Sequence, residues 1–435
     1  MDTPHHVPLS PVDAAWLRMD SPTNPMVITT VFRFDAPLDH EALTKTLDRF
    51  LEHRRFRQRV VRDRRTLTGA AWEDDPQFSI ANHVRRVRLA SPGDDAALQA
   101  HVSERMSTPL DRERPLFRID VLDGLRARAA SDGGVAGNGK REGSALVVSV
   151  HHSMGDGVAL VRLLLGVTGA GAEGKPVEVG IPRPPKPKTL RAFVDATTSQ
   201  GRTLARLLLL PPDARTPLRG TLGQRKVAAF SKPFAVDVIK AIAKKNGGHV
   251  NDLLATAVAG ALRSYLPEPR GVRALIPVFL RGDDQGSNNH FGLVYLPLPV
   301  DEPDRAARVR AVQSQMDAIK SAPDATVAFV VLGAMGLASK SLERLGIELF
   351  TMKASMLITN VPGPAAKVQV AGRDVSSMVV WAPTSGSIGI GWSLLTYAGE
   401  LRLGVAADAL RVPDPGALVG AFEREIEAMR REAGV

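Results

Sequence analysis

The side chains capable of chemistry gather in one stretch, His151-His152-Ser153-Met154-Gly155-Asp156-Gly157. An imidazole changes charge near neutral pH, so a histidine held at a binding surface can take a proton from a bound hydroxyl and return it to a leaving group. The two histidines are adjacent, and adjacent residues on a strand point to opposite faces. One of them is therefore expected to be chemical and the other structural. The same divergence argues against a metal held by His151 and His152, since no further ligand stands at zinc-like spacing. A plainer alternative stays open from these residues alone: a strand-end histidine bonded to backbone, followed by Asp156 as an ordinary helix cap.

The flanking residues supply the elements that must position this stretch. Leu146-Val147-Val148-Ser149-Val150 is a near-continuous apolar run of strand length, and Val158 to Leu165 reads as a mostly buried helix. Gly155 and Gly157 permit a tight turn between them, and Asp156 falls where the helix begins. Elsewhere, Met26 to Phe34 alternates as a strand, Asp39 caps a helix carrying Leu43, Leu47, Phe50 and Leu51, and a helix runs from about Asp95 to Met106. Pro115-Leu116-Phe117 opens a strand to Leu122, and the glycine-rich Ser131 to Gly143 is a loop. His83 reads as a satisfied core or surface residue. Gly169 to Gly174 fits a dinucleotide-binding pattern in letters only, because it follows a helix and runs into Lys175-Pro176.

Further motifs carry a resemblance. His-His-x-x-x-Asp-Gly is the signature of the coenzyme-A-dependent acyltransferase superfamily. Leu9 to Asp13 and Ser21 to Met26, Pro115-Leu116-Phe117, Asn251-Asp252, His290-Phe291-Gly292-Leu293 and Thr359 to Pro364 resemble segments of its bacterial wax ester synthase/diacylglycerol acyltransferase branch. Phe117 stands where that family has tryptophan. The resemblance implies an α/β (α+β) fold of two stacked chloramphenicol-acetyltransferase-like domains with a tunnel at their interface, a segment of the second domain crossing onto the first. It implies transfer of a long-chain acyl group from acyl-CoA to diacylglycerol or a long-chain alcohol, with no metal or redox cofactor. His152 is then the general base, Asp156 fixes the loop, and His151 and Gly157 support it. Pro115, Leu116, Phe117, Asn360, Thr384, Ser385 and Ser387 are candidates to meet substrate or oxyanion, with Asn251 as a helix cap and Asp252 in the first turn as scaffold. Alternatives of other classes are a superfamily member using another hydroxyl or amine, and a non-catalytic lipid-binding protein; the intact histidine motif disfavours the second.

Length and composition bound the rest. A chain of 435 residues has room for two domains. The division expected is 1–171, a linker and amphipathic stretch at 172–226 containing Ile181 to Pro187, and 227–435. The chain contains no cysteine, which suits a reducing cytoplasm. Its most apolar run, Ala325 to Ala338, is too short to cross a bilayer. The formal charge of +10 suits an anionic partner, either coenzyme A or a membrane or lipid-inclusion surface; with 5% aromatic residues and no recognisable nucleic-acid motif, nucleic acid is not expected. The leucines of Leu190 to Leu210 and of Leu337 to Phe350 fit two readings equally, a helix lying on a lipid surface and a helix packed on the core.

Overall fold

A computed structural model describes residues 6–127, 142–155, 201, 203–279, 291–321 and 324–435. The expectations placed on Asp156, Gly157, the helix after them, the glycine-rich loops, the linker as far as residue 200, the loop Arg281 to Asn289 and His290 lie outside the described residues.

Two sheets organise the chain. The first has the order β15 (Ser377–Trp381), β2 (Val27–Phe34), β7 (Glu142–His151), β6 (Phe117–Arg126), β5 (Val84–Arg88). Strand β7 lies at its centre and is buried from Gly143 to His151, which is why its sequence is apolar without alternation. The second sheet has the order β11 (Phe291–Leu298), β10 (Val272–Phe279), β12 (Met356–Pro362), β16 (Ile390–Tyr397), β17 (Glu400–Asp408), β8 (Lys226–Phe230), with β9 (Phe234–Ala235) also on β17. Smaller sheets join β1 (Val7–Pro8), β4 (Ala70–Asp74) and β3 (Gln58–Arg62), and β13 (Gln369–Val370) with β14 (Arg373–Asp374).

The expected crossover is present. Strand β15 precedes β16 in the chain yet pairs with β2 of the other sheet, Val379 opposite Val31. The fully buried Trp381 at its end donates its indole N–H to the Ala229 carbonyl of β8 at 3.1 Å, fastening one sheet to the other. Residues 382–389 then lead back to β16, so the polar strip Thr384 to Ser387 lies where the chain passes between sheets.

Helices α1 (Pro11–Met19), α2 (His40–Leu51) and α3 (Asp95–Ser107) begin at Ser10, Asp39 and Asp94, whose side chains accept from the backbone of the first turn. Helices α4 (Val236–Lys245), α5 (Val250–Tyr265), α6 (Arg305–Ser321), α7 (Asp324–Met335), α8 (Lys340–Thr351) and α9 (Pro415–Ala433) belong to the second half. The small residues Ala255 to Ala261 of α5 serve close packing: a Cβ on Gly260 would meet the Glu425 carboxyl carbon of α9 at 2.4 Å. One expected cap is corrected. Helix α5 starts at Val250 with His249 as N-cap, and Asp252 returns a hydrogen bond from the His249 N–H at 2.8 Å. Asn251 is inside the helix, and its side chain is released for another partner.

Candidate active site

The centre is the end of β7. Its last residue, His151, pairs in register with Val27, and its N–H donates to the Leu116 carbonyl at 2.9 Å; the His152 N–H donates to the Met26 carbonyl at 2.8 Å. The chain then tightens into a single turn, His152–Met154. The two imidazoles take the separate environments that strand geometry demands.

His151 is 2% exposed. Its Nδ1 accepts from the Ser153 N–H at 3.1 Å, with the Ser153 hydroxyl 2.8 Å away. The proton of the neutral ring therefore sits on Nε2, facing Asp20 Oδ1 at 3.8 Å. Burial pushes its pKa down to about 4, more than the Asp20 carboxylate can offset. At neutral pH this ring is an uncharged structural post.

His152 is 8% exposed and lies against aromatic rings. Its ring stacks on Trp16 of α1, centroids 4.2 Å apart and planes 18° from parallel, and Phe291 of β11 stands 5.7 Å away at 49°. The stack fixes the imidazole plane in a dry setting. Trp16 and Phe291 continue as one wall of a small apolar pocket between α1, β10, β11, α7 and α8, lined further by Leu275, Leu332, Phe350 and Ser385. Met19 and Ile347 border both this pocket and a much wider open groove, which Arg18, Arg59, Arg62, Arg112, Leu116 and Ser387 also line, together with Asp20, Glu113, Glu343 and Glu348.

The segment Ser21 to Met26 builds the frame beside the histidines. A pair of backbone bonds between Ser21 and Asn24 closes it into a tight turn. Asp20 accepts from the Met26 N–H at 2.8 Å and is held by Arg112 at 2.7 Å. Lys226, paired with the buried Asp408, donates to the Thr23 carbonyl at 2.7 Å, and the buried Asn24 amide donates to the Gly386 carbonyl at 3.1 Å. Through Asn24 the crossover strip is tied to the turn whose Met26 carbonyl holds His152.

The remaining expected site residues separate. Ser385 faces the apolar pocket and Ser387 the polar groove, where its hydroxyl accepts from Arg219 at 3.2 Å. Thr384 packs its methyl beside Gly391. Leu116 borders the groove and Pro115 is buried at the turn before it. The Phe117 ring lies in the core among Phe50, Phe56 and His83, stacked on the latter at 4.3 Å. Asn360 on β12 donates its amide to Asn251 Oδ1 at 2.7 Å, joining the two asparagine motifs to each other. Trp16 and Asp20 were not singled out from sequence; Asn24 lies in the Ser21 to Met26 segment that carried the resemblance, without a role of its own.

The chain is similar along its length to known proteins. The model of the wax ester synthase/diacylglycerol acyltransferase catalytic domain matches residues 9–204, and that of the WS/DGAT C-terminal domain matches residues 287–430. The chain belongs to the wax ester synthase/diacylglycerol acyltransferase family. Among curated relatives, "Probable diacyglycerol O-acyltransferase tgs2" of Mycobacterium tuberculosis is 26% identical over 98% of this chain and 99% of its own length. The corresponding tgs1 protein of the same species is 25% identical over 95% and 94%. Of solved structures, the wax ester synthase/diacylglycerol acyltransferase from Marinobacter aquaeolei VT8 superposes with a TM-score of 0.70 at 20% identity, covering 99% of this chain and 100% of that one. The starter condensation domain of rhizomide synthetase, solved with C8-CoA and Leu-SNAC, gives 0.59 at 14% identity, covering 99% and 95%. These two likenesses establish a shared fold.

Proposed function

We propose that the chain transfers a long-chain acyl group from acyl-CoA to the hydroxyl of diacylglycerol or a long-chain alcohol, with His152 as general base. The observation that carries this is the His152 ring stacked on Trp16, which itself lines an apolar pocket, in a chain whose family is named for that reaction. The pocket takes the aliphatic chain of the acceptor, and the arginine-lined groove beside it takes the phosphates of coenzyme A. His152 removes the hydroxyl proton as the oxygen attacks the thioester carbonyl. The tetrahedral oxyanion then expels the thiolate of coenzyme A, which receives that proton from the imidazolium. Ser385, on the pocket wall, is the donor proposed for the oxyanion, with Thr384, Asn360 and Ser387 shaping its surroundings. Asp156 and Gly157 are assigned to holding the loop after His152, and Asn251 and Asp252 to supporting β12. Neither metal nor redox chemistry enters these steps.

The two halves, 1–171 and 227–435, act as paired acyltransferase domains joined by 172–226. No helix among the described residues is long and apolar enough to cross a membrane. The protein is assigned a peripheral position, on the cytoplasmic membrane face or on lipid inclusions, where its acceptor is found.

The test is release of coenzyme A from palmitoyl-CoA with dioleoylglycerol or hexadecanol. Acceptor-dependent release is expected from the wild type, reduced about 10²–10⁴-fold in His152→Ala. Release that persists undiminished in the folded variant removes His152 from the base role, and absence of release with either acceptor in the wild type overturns the activity.

A further inference from the structure

Among the described residues most of the large exposed apolar side chains fall in two stretches, the helical segment at 203–209 and the pair α7 and α8. On α8, Leu342, Leu345 and Leu349 are 62%, 53% and 40% exposed, and their spacing of three and four residues sets them in one stripe. Val330 of α7 and Leu337 in the turn after it are exposed as well. Leu208 and Leu209 adjoin them, since Lys353 after α8 donates to the carbonyls of Leu207 and Leu208 and Arg206 pairs with Asp324 at the start of α7.

Helix α8 inverts the ordinary surface pattern. It buries an acid and shows leucine to solvent. Glu343, 2% exposed, is held at 2.5 Å by Arg18 of α1, and that ion pair fixes the leucine stripe outward. A second observation says what the stripe meets. The opposite faces of the same two helices supply Val331, Leu332, Met335, Ile347 and Phe350 to the apolar pocket that starts at Trp16. The pair is thus apolar toward the pocket and apolar toward the outside, one helix thick. Among the described residues the charges close by largely cancel, Arg344 with Glu348 and Arg206 with Asp324, leaving Lys340 at the edge.

We propose that α7, α8 and the 203–209 segment dock on an uncharged lipid surface, with Leu342, Leu345 and Leu349 entering the interface, so that the acceptor passes from that surface into the pocket behind the same helices. This rests on the reading of the pocket as the acceptor's. A helix of this length lies in the interface rather than spanning it, and its affinity scales with the apolar area buried, not with anionic charge. Binding is therefore expected on zwitterionic vesicles and to be little affected by salt.

The experiment uses the full chain and the triple variant Leu342→Ser/Leu345→Ser/Leu349→Ser. Flotation with phosphatidylcholine vesicles containing dioleoylglycerol is measured at low and high salt, and acyl transfer is measured to vesicle-borne dioleoylglycerol and to a short-chain, monomerically dissolved diacylglycerol. The wild type is expected to float at both salt concentrations and the variant to bind at least about a hundredfold less, because three leucine side chains no longer enter the interface. Transfer to the vesicle-borne acceptor falls with it, while transfer to the dissolved acceptor is unchanged because no substituted residue lines the pocket. Flotation retained by the variant, flotation requiring anionic lipid, or a wild-type dimer that the variant dissolves would each overturn the proposal. If the wild type floats but transfers to neither acceptor, the docking surface stands and the acyltransferase reading falls.

Discussion

Replacing His151 with asparagine tests the division of labour between the two histidines. Burial lowers the His151 pKa from 6.5 to about 4. In the unfolded chain the ring takes up a proton as pH falls through about 6.5, but in the folded protein not until about 4. Between these values the unfolded state binds more protons, so stability drops as pH falls and levels off below the folded value. The shift corresponds to roughly 3 kcal/mol at the limit, and to about 2.5 kcal/mol already at about pH 4.5, with almost nothing at about pH 7.5. Asparagine can accept the Ser153 N–H that Nδ1 now accepts, yet has no proton to gain. Urea unfolding at the two pH values, for wild type and His151→Asn, reads the difference directly. The wild type should lose about 2.5 kcal/mol more on acidification than the variant, while the variant keeps a measurable fraction of acyl transfer at neutral pH. Parallel stability curves, within about 0.5 kcal/mol, would refute the claim that His151 is a buried neutral post.

Two other substitutions probe how His152 is held. Trp16→Leu removes a stack worth about 0.5–1.5 kcal/mol beyond its buried area, and is expected to lower kcat about tenfold; Trp16→Phe, which keeps a ring at 4.2 Å, should recover most of it, and equal losses in both would show that only pocket volume matters. Gly336→Ala would place a Cβ 1.7 Å from the Pro11 carbonyl oxygen, a backbone atom that moves only with α1. A stability loss of about 1–3 kcal/mol or more in urea unfolding is expected, together with reduced transfer because α1 carries Trp16; an unchanged midpoint would mean that α1 is not seated on the end of α7 as described.

The parts that were legible from sequence are those specified locally. Asp39 sits before the run Leu43, Leu47, Phe50 and Leu51 and caps α2 as expected, and the helix expected from about Asp95 to Met106 is α3, Asp95–Ser107. The cap of α5 was misplaced because asparagine is a preferred cap and histidine is not, although Asp252 three residues after His249 is the reciprocal half of a capping box. Trp16 could not be picked out at all. An aromatic on the buried face of a short helix has the same spacing whether it fills a core or flanks a reactive ring, and only the meeting of α1 with the end of β7 separates the two.

Helix α8 shows the same limit from the other side. The period of Leu342, Leu345 and Leu349 reveals a stripe, but a period has no sign and does not say whether the stripe faces the protein or the solvent. Hydrophobicity alone favours the inward choice. What reverses it is a single partner on a distant element: Arg18 draws Glu343 inward, and once the acid is buried the leucines on the far side of the helix have only the surface left to occupy. The arginine that sets this lies two residues after Trp16 on the same short helix. Strand β7, helix α1 and helix α8 thereby meet through one short helix, whose Trp16 stacks on His152 and whose Arg18 pairs with Glu343.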